Sequence, residues 1–582
     1  MGTLYLIRHG RPEFAGGGKR CIGITDVPLS KEGRQQFREL REKLKSANIR
    51  KIYVSPLSRS RESGEILAGL ESLSDMKLRE EDESLTGETI PVITKENLRE
   101  ISMGSWENRT FADIREEEPE AYAARGENFA DFTPEGGESF RDCQARAWMA
   151  YREILAELDS DDNIAIVGHA GFFRALICLL EGRDLNKLMD IPMDYAECYT
   201  WDLGPALGAV IASAGLSSRM NSFKPLLPVK GQSFLQREIT TLFRAGVRHI
   251  TIVTGREKEL VEAEVAGPGV ICVHNEAYLT TKMFDSALLG LHSLPEWLEG
   301  TFFLPVDAPI FSLFTVRQEQ AMWRENDAKI FQPWCHGIAG HPLLIRKTAF
   351  PDIFSFDGFG GLRRFCKEHQ DMPEYLQMMN LPDPGSIMDA DSPEEYEAIC
   401  RYEEKLGIPD RERCLELLSW IHVPAHLLAH SLAVTEKAIA MADAFNRSVE
   451  GKGKKPLDLT LVEAAALLHD IAKGRKKHGK VGADWLRQLG FRETADAMEY
   501  HEHLPERMRG EIDEAAIVYL ADKLIIEDKE QPLDERYRKR LEQYSGDPEA
   551  EEAIRGKWRA AAEMMVLYES CTKKSDFCTD SK

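Results

Sequence analysis

Two histidines each follow an apolar run directly. Leu4-Tyr5-Leu6-Ile7 runs into Arg8-His9-Gly10, and Ile164-Ala165-Ile166-Val167 runs into Gly168-His169-Ala170-Gly171. A further run, Lys51–Val54, leads to Ser55-Pro56-Leu57-Ser58-Arg59. Neutral imidazole is a good nucleophile near pH 7, and guanidinium groups grip phosphoryl oxygens in a bidentate way. His9 and His169 with Arg8 and Arg59 therefore make a set able to receive a phosphoryl group and stabilise its charge. In an open α/β sheet ligands bind at the carboxyl ends of strands, which is where both histidines fall.

Another set lies downstream. The run Ala209-Val210-Ile211-Ala212 continues into Ser213-Ala214-Gly215-Leu216-Ser217-Ser218-Arg219-Met220 and then Lys224-Pro225. Small residues such as Ala214 and Gly215 let backbone N–H groups approach phosphates, while Arg219 and Lys224 offer charge to a triphosphate. Phe302–Val306 ends in Asp307, and Asp389-Ala390-Asp391 follows later. Nucleotidyl transfer needs a metal that bridges phosphates, and Asp307 and Asp391 are carboxylates able to hold Mg²⁺. The last set is His469-Asp470, at the end of an Ala/Leu-rich helical run, with His430 before it and Asp522 after it. Adjacent His and Asp cannot share one helix face, but both reach one metal at a helix end. Ligands from several helices are how bundle metal sites are built, and this mixture suits Mn, Fe, Zn or Mg without choosing among them. His422, His426 and His430 fall at i, i+4 and i+8, one face of a helix, and of these His430 alone fits the metal pattern.

The elements that must position these groups divide the chain. At about 150 residues per domain, 582 residues predict three or four domains, each able to bury a core. Strand and amphipathic patterns alternate over 1–203 and again over 204–402, whereas strand signals vanish over 403–582. The stretch 450–456 reads as a loop between helices, and the tail after Cys571 as polar and frayed. The expected architecture is multidomain: α/β, then α/β, then all-α. A net charge of −23 argues against a nucleic-acid scaffold but leaves room for a small phosphorylated substrate in a local basic pocket. Eleven cysteines without a Cys-x-x-Cys pair read as reduced thiols. No signal peptide and no apolar run of about 18 residues is visible, so the expectation is a cytoplasmic chain with no membrane span.

The motifs carry three resemblances. Arg8-His9-Gly10, Ser55–Arg59, Leu98-Arg99-Glu100 with Gly104-Ser105-Trp106-Glu107, Gly137-Glu138-Ser139 and Gly168-His169 resemble the histidine phosphatase superfamily, the phosphoglycerate mutase-like fold. The resemblance implies that His9 accepts the phosphoryl group, that Arg8, Arg59 and His169 clamp it, and that Glu100 protonates the leaving oxygen. The segments Arg11-Pro12-Glu13, Cys21-Ile22-Gly23 and Asp26–Ser30 look most like the α-ribazole phosphatase branch. The middle of the chain resembles the MobA-like nucleotidyltransferases, with a Rossmann-like fold and molybdenum cofactor cytidylyltransferase as the nearest branch. The residues that carry it are the loop to Arg219-Met220, Lys224, Gly246-Val247, Thr254-Gly255, Asn275-Glu276, Ser286, Asp307, Gly340-His341-Pro342 and Asp389–Pro393. It implies nucleotide binding by Ala214, Gly215, Arg219, Lys224 and Gly255, Mg²⁺ at Asp307 and Asp391, and CTP joined to molybdopterin with release of pyrophosphate. Ser213, Asn221 and the segment Asp357–Gly361 depart from that family's pattern. The last third resembles the HD superfamily of metal-dependent phosphohydrolases. This implies a divalent metal on His430, His469, Asp470 and Asp522, with His478, His501 and His503 where some members place further ligands or phosphate contacts.

The expected function is a multifunctional enzyme of cofactor maturation. Its substrates are small phosphorylated molecules and an NTP, and its implied protein partners are a molybdoenzyme or its maturation factors. Cobalamin nucleotide-loop assembly, with GTP as donor, and a nucleotide-sensing regulatory HD module stand as alternatives.

Overall fold

The computed structural model describes residues 2–14, 20–70, 90–159, 161–215, 222–451 and 454–572. Arg219 lies outside the described residues, as does the expected polar tail from residue 573 onward.

The apolar runs that precede the two histidines become neighbouring central strands. The first sheet contains β1 (Thr3–Arg8), β2 (Ile49–Val54), β3 (Val92–Thr94), β4 (Asn163–Gly168) and β5 (Cys198–Asp202). Their order is β3-β2-β4-β1-β5. All pairings are parallel except that of β5 with β1. Leu4, Leu6, Ile7 and the run Ile164–Val167 are buried, as expected of strands covered on both faces. The register pairs Arg8 with Gly168, so His9 and His169 emerge side by side. Ser139 opens the helix Phe140–Ala156 through a capping box with Asp142. Gly182, at φ 74°, closes the helix Ala170–Glu181 that begins just after His169.

The second sheet is built from β6 (Leu207–Ser213), β9 (His249–Thr254), β10 (Val270–His274), β11 (Gly300–Pro305), β12 (Ile330–Cys335), β13 (Ile338–Ala339), β14 (Leu343–Arg346) and β15 (Leu376–Asn380). The short strands β7 (Pro228–Val229) and β8 (Gln232–Ser233) form a separate hairpin. The sheet order is β10-β9-β6-β11-β14-β12-β13, with β15 beside β12. β10, β9, β6 and β11 are parallel, and β14 runs against β11. Pro305 pairs with Ala212, which brings the small-residue loop after β6 beside Asp307 after β11.

Both sheets belong to one compact unit, Met1–Ile399. Their seam is polar. Tyr151 Oη donates to the Phe243 carbonyl at 3.2 Å, Arg152 Nη2 to Pro268 at 3.0 Å, and Arg244 Nη2 to Leu180 at 3.1 Å. The Arg317 guanidinium lies 5.1 Å from the Trp201 ring centre and donates to the Arg244 carbonyl at 3.1 Å.

The remaining unit, Cys400–Lys582, is helical. Helices Ala425–Val449, Leu459–Leu468 and Glu514–Leu524 form its centre, around Val434, Leu467 and Leu520. A hairpin of two-residue strands, Ile525–Ile526 with Lys529–Glu530, is its one departure from an all-α pattern among the described residues. Strands that short leave no alternation to read. The expected shared face of His422, His426 and His430 does not form. Pro424 starts the long helix, and His422 precedes it at φ 53°. No helix among the described residues is long and apolar enough to cross a membrane.

Candidate active sites

At the carboxyl ends of β1 and β4 the rings of His9 and His169 lie 5.2 Å apart. His9 Nδ1 is 2.7 Å from the Gly10 carbonyl. That bond assigns the proton to Nδ1 and puts the lone pair on Nε2. Arg59 Nε donates to His9 Nε2 at 3.3 Å. Burial, then the Arg59 charge, push His9 well below its ordinary 6.5, and the same two causes act on His169. Both rings are therefore neutral at pH 7. His169 Nε2 lies 2.7 Å from Ser55 Oγ, and its buried Nδ1 has no hydrogen-bond partner.

Backbone carbonyls hold the arginines. Arg59 donates to Thr25 at 2.8 Å and to Gly23 at 2.9 Å, and Arg8 donates to Met193 at 2.7 Å. Glu107 fixes the loop that presents Gly23 and Thr25, accepting from the N–H groups of Gly23, Ile24 and Thr25 and from Thr25 Oγ1. The Glu100 carboxylate, also buried, accepts from the N–H groups of Gly171 and Phe172 at 3.0 and 2.8 Å, at the start of the helix after His169. Arg146 holds the Glu100 segment by donating to the carbonyls of Asn97 and Arg99 while pairing with Glu138 at 2.8 Å.

In the second sheet, Lys224 Nζ bridges Asp307 at 3.1 Å and Asp391 at 2.7 Å. Two cavities meet here. One of about 240 Å³ is lined by Ala214, Gly215, Lys224 and Ser286. Another of about 940 Å³ is lined by Trp334, His341, Asp389 and Asp391. Asp307 lines both. Gly255 stands where a Cβ would come 2.7 Å from the Ala214 carbonyl, so it lets the loop after β6 settle against β9. Burial, then the Asp307 charge, push Asp389 upward. The expected acidic pair thus stands beside the small-residue loop, with a cation already between its members.

In the helical unit His469 follows the last residue of its helix, as the adjacent His-Asp pair requires. One ligand atom from each of His430, His469 and Asp470 lies within 4.8 Å of the others, and Asp470, His478 and His501 form a similar set. Asp522 Oδ1 is 3.5 Å from His430 Nε2 and 3.8 Å from His469 Nε2. The Nδ1 atoms of His430, His469 and His501 lie 2.7, 2.8 and 2.9 Å from the carbonyls of Glu527, Ala466 and Met498. These bonds place protons on Nδ1 and leave Nε2 lone pairs for the centre, the outer shell of a metal site. His469 Nε2 is buried without a hydrogen-bond partner, which costs about 1–3 kcal/mol unless a ligand satisfies it, while Asp470 Oδ2 has the Lys473 ammonium at 3.0 Å. The donor set fits a divalent cation at His430, His469, Asp470 and Asp522. Asp470 is placed to share a neighbouring one with His478 and His501, whereas His503 is exposed and joins neither set.

Residues 4–210 match the histidine phosphatase superfamily (branch 1), 209–372 the MobA-like NTP transferase domain and 427–526 the HD domain. The probable phosphoglycerate mutase GpmB of Proteus mirabilis is 32% identical over 184 residues, 31% of this chain and 74% of that protein. The chain belongs to the histidine phosphatase superfamily. Phosphoserine phosphatase 1 of Hydrogenobacter thermophilus is 28% identical to it, covering 34% of this chain and 84% of that protein. The adenosylcobalamin/alpha-ribazole phosphatase of Salmonella typhimurium is also 28% identical, covering 30% and 78%. These relatives align with about a third of the chain. Its histidine phosphatase domain is thus fused to a MobA-like transferase domain and an HD domain, families that bind divalent metals.

One group in the histidine phosphatase site has no counterpart among the sequence motifs. Tyr195 stacks under the Arg8 guanidinium, 3.9 Å from ring centre to Cζ, and its ring lies 5.7 Å from that of His9. The pattern that could have exposed it is topological. β5 runs antiparallel to β1 and pairs Cys198 with Ile7, so residues just before β5 must land beside Arg8 and His9.

Proposed function

We propose that the chain is a multifunctional phosphoester enzyme of cofactor maturation, whose central domain transfers a nucleotide from CTP to a phosphorylated pterin. The observation that carries this reading is Asp307, which lines both a small-residue loop cavity sized for phosphates and a larger cavity, with Lys224 and Asp391 alongside. Ala214, Gly215, Gly255 and Lys224 are the described residues that take the nucleotide. Asp307 and Asp391 would hold Mg²⁺, which would supply charge neutralisation for the triphosphate there. Lys224, held between those carboxylates, shares its charge with them until a triphosphate competes for it.

In the phosphatase domain His9 attacks phosphorus through Nε2, Arg8, Arg59 and His169 hold the equatorial oxygens, and Glu100 protonates the leaving oxygen. In the HD domain His430, His469, Asp470 and Asp522 hold a divalent cation, which supplies Lewis-acid activation of water toward a phosphoester. The purified chain with Mg²⁺, each NTP separately and a molybdopterin-type acceptor tests the central step by pyrophosphate release. Release with CTP that is lost in Asp307→Ala supports it. Release with another nucleotide alone, or with a non-pterin acceptor, overturns it.

A second reading is favoured by the alpha-ribazole phosphatases among the relatives. On that reading the donor is GTP and the product belongs to cobalamin nucleotide-loop assembly. Donor preference in the same assay separates the two.

A further inference from the structure

In the helical unit, the chain between two of the candidate metal ligands is strongly basic. Residues 471–480 hold Lys473, Arg475, Lys476, Lys477 and Lys480 and no carboxylate. The loop they form leaves from Asp470 and returns to it. Lys473 Nζ lies 3.0 Å from Asp470 Oδ2, and His478 Nε2 lies 3.0 Å from Asp470 Oδ1. A loop closed in this way keeps its long cationic side chains within reach of the ligand cluster. The same carboxylate faces both ligand sets. Its Oδ2 is 3.6 Å from His469 Nε2, and its Oδ1 is 3.4 Å from His501 Nε2.

Local acids do not account for the basic loop. Among the described residues, Asp470, Asp522 and Glu502 are the carboxylates in contact with the histidines of the cluster. Lys473 and Lys523 already pair with the first two, at 3.0 and 2.6 Å, and Glu502 sits 3.4 Å from His478 Nδ1. Lys480 pairs with Asp484 at 3.1 Å. Arg475, whose guanidinium lies 5.0 Å from the Trp485 ring centre, is exposed, as are Lys476 and Lys477. None of these three has a carboxylate within ion-pair distance among the described residues. Divalent cations at the cluster would add positive charge rather than remove it.

The occupant therefore has to bring negative charge to the rim as well as to the centre. A phosphodiester carries one negative charge and a phosphomonoester about two, all on the group held at the centre. A phosphoanhydride sets a second charged phosphoryl group beside the first, where guanidinium and ammonium groups can pair with it. A net charge of −23 disfavours a nucleic-acid polyanion.

We propose that the HD site hydrolyses a phosphoanhydride, with Arg475, Lys476 and Lys477 holding the phosphoryl group next to the one attacked. Water forms a bond to one phosphorus, the bridging P–O bond breaks, and one water proton passes to the departing phosphate. A fully ionised pyrophosphate and one water thus give two hydrogen phosphate ions. The proposal rests on the metal-site reading of the HD domain and adds to it the bond that is cleaved. Inorganic pyrophosphate, the by-product of the transfer proposed above, is the smallest member of the class.

The full chain carrying His9→Ala, which silences the phosphatase nucleophile, tests it with Mn²⁺ and four substrates: inorganic pyrophosphate, ADP, p-nitrophenyl phosphate and bis-p-nitrophenyl phosphate. For pyrophosphate or ADP, kcat/KM is expected at least about tenfold above that of either ester. Turnover of pyrophosphate alone marks a free inorganic substrate, and turnover of ADP a nucleotide one; both support the class. Calorimetry supplies a second readout: methylenediphosphonate, which is not cleaved, binds at least about tenfold tighter than methylphosphonate. Arg475→Gln with Lys476→Gln removes both advantages, while Mn²⁺ still raises the unfolding temperature. Esters cleaved as fast as the anhydrides, equal affinity for the two phosphonates, or wild-type ratios in the double variant overturns the proposal. A preference that is absent while Mn²⁺ still raises the unfolding temperature overturns the substrate class and leaves the metal reading standing. A phosphonate preference with no effect of Mn²⁺ on unfolding or turnover overturns the metal reading and, with it, the cleavage step.

Discussion

Tyr195 stacks on Arg8, so its expected effect on the phosphatase site runs through that guanidinium rather than through phosphorus. A ring stacked on a guanidinium fixes the plane in which that fork meets phosphoryl oxygens, a contact worth about 0.5–2 kcal/mol. Tyr195→Ala is expected to lower kcat/KM about tenfold on a phosphomonoester, while Tyr195→Phe keeps the stack and most of the activity. Retained activity in the alanine variant would remove Tyr195 from the site. His9 gives a pH prediction. Its folded pKa lies well below the ordinary 6.5, so the nucleophile stays neutral as pH falls through that value. The pH–rate profile should therefore show no acid limb near pH 6.5. The linkage runs the same way for stability: because His9 and His169 are held neutral, stability is full above 6.5 and is lost as pH falls toward their folded values. These two histidines were legible in the sequence because each follows a strand-like run directly. Tyr195 was not, because only the antiparallel return of β5 brings it to Arg8.

Two helices of the transferase domain each carry a carboxyl that the fold buries without an ion pair or side-chain hydrogen bond among the described residues. Neither oxygen of Glu238, on Phe234–Arg244, has a partner, and Glu319, on Leu313–Glu325, meets only the Leu344 backbone. Burial pushes both pKa values well above the ordinary 4.5, with the Asp307 charge adding to the effect on Glu238. A raised folded pKa means stability that is complete below about 4.5 and falls as pH rises toward the folded values. Glu238→Gln with Glu319→Gln should therefore flatten the loss of Tm between pH 5 and 8, read by calorimetry. An unchanged slope would show that both carboxyls find partners in solution. Nothing in the local sequence marks either residue, since a helical glutamate is ordinarily a solvated one. The strands were easier to read. Uninterrupted apolar runs at β1, β4, β6 and β11 signal cover on both faces, whereas the two-residue hairpin at Ile525–Glu530 is too short to carry a period. The meeting of His469 with Asp470 was legible for a related reason. Adjacent His469 and Asp470 need a helix end, and the helix stops at Leu468.

At the scale of the molecule, the compact units Met1–Ile399 and Cys400–Lys582 respond to different additions. Divalent cation added to chelator-treated protein should raise the unfolding temperature of the helical unit by about 5–10 °C at a hundredfold excess over Kd. His430→Ala should abolish the rise, and a rise that survives it would move the cation elsewhere. The seam between the two sheets was not foreseen from composition, because the residues that make it are charged. Arg152 and Arg244 donate across it to the carbonyls of Pro268 and Leu180. That choice of acceptor has a consequence for how the chain can drift over generations. A carbonyl is supplied by every residue type, so an acceptor whose side chain is not itself core, such as Pro268, can be exchanged freely while the donors cannot. A saturation library selected for folded protein should therefore tolerate many residues at Pro268, only apolar ones at the buried Leu180, and almost none besides arginine at 152 and 244. The link between phosphatase and transferase would then be inherited through a handful of arginines, and the two domains could diverge in substrate without coming apart.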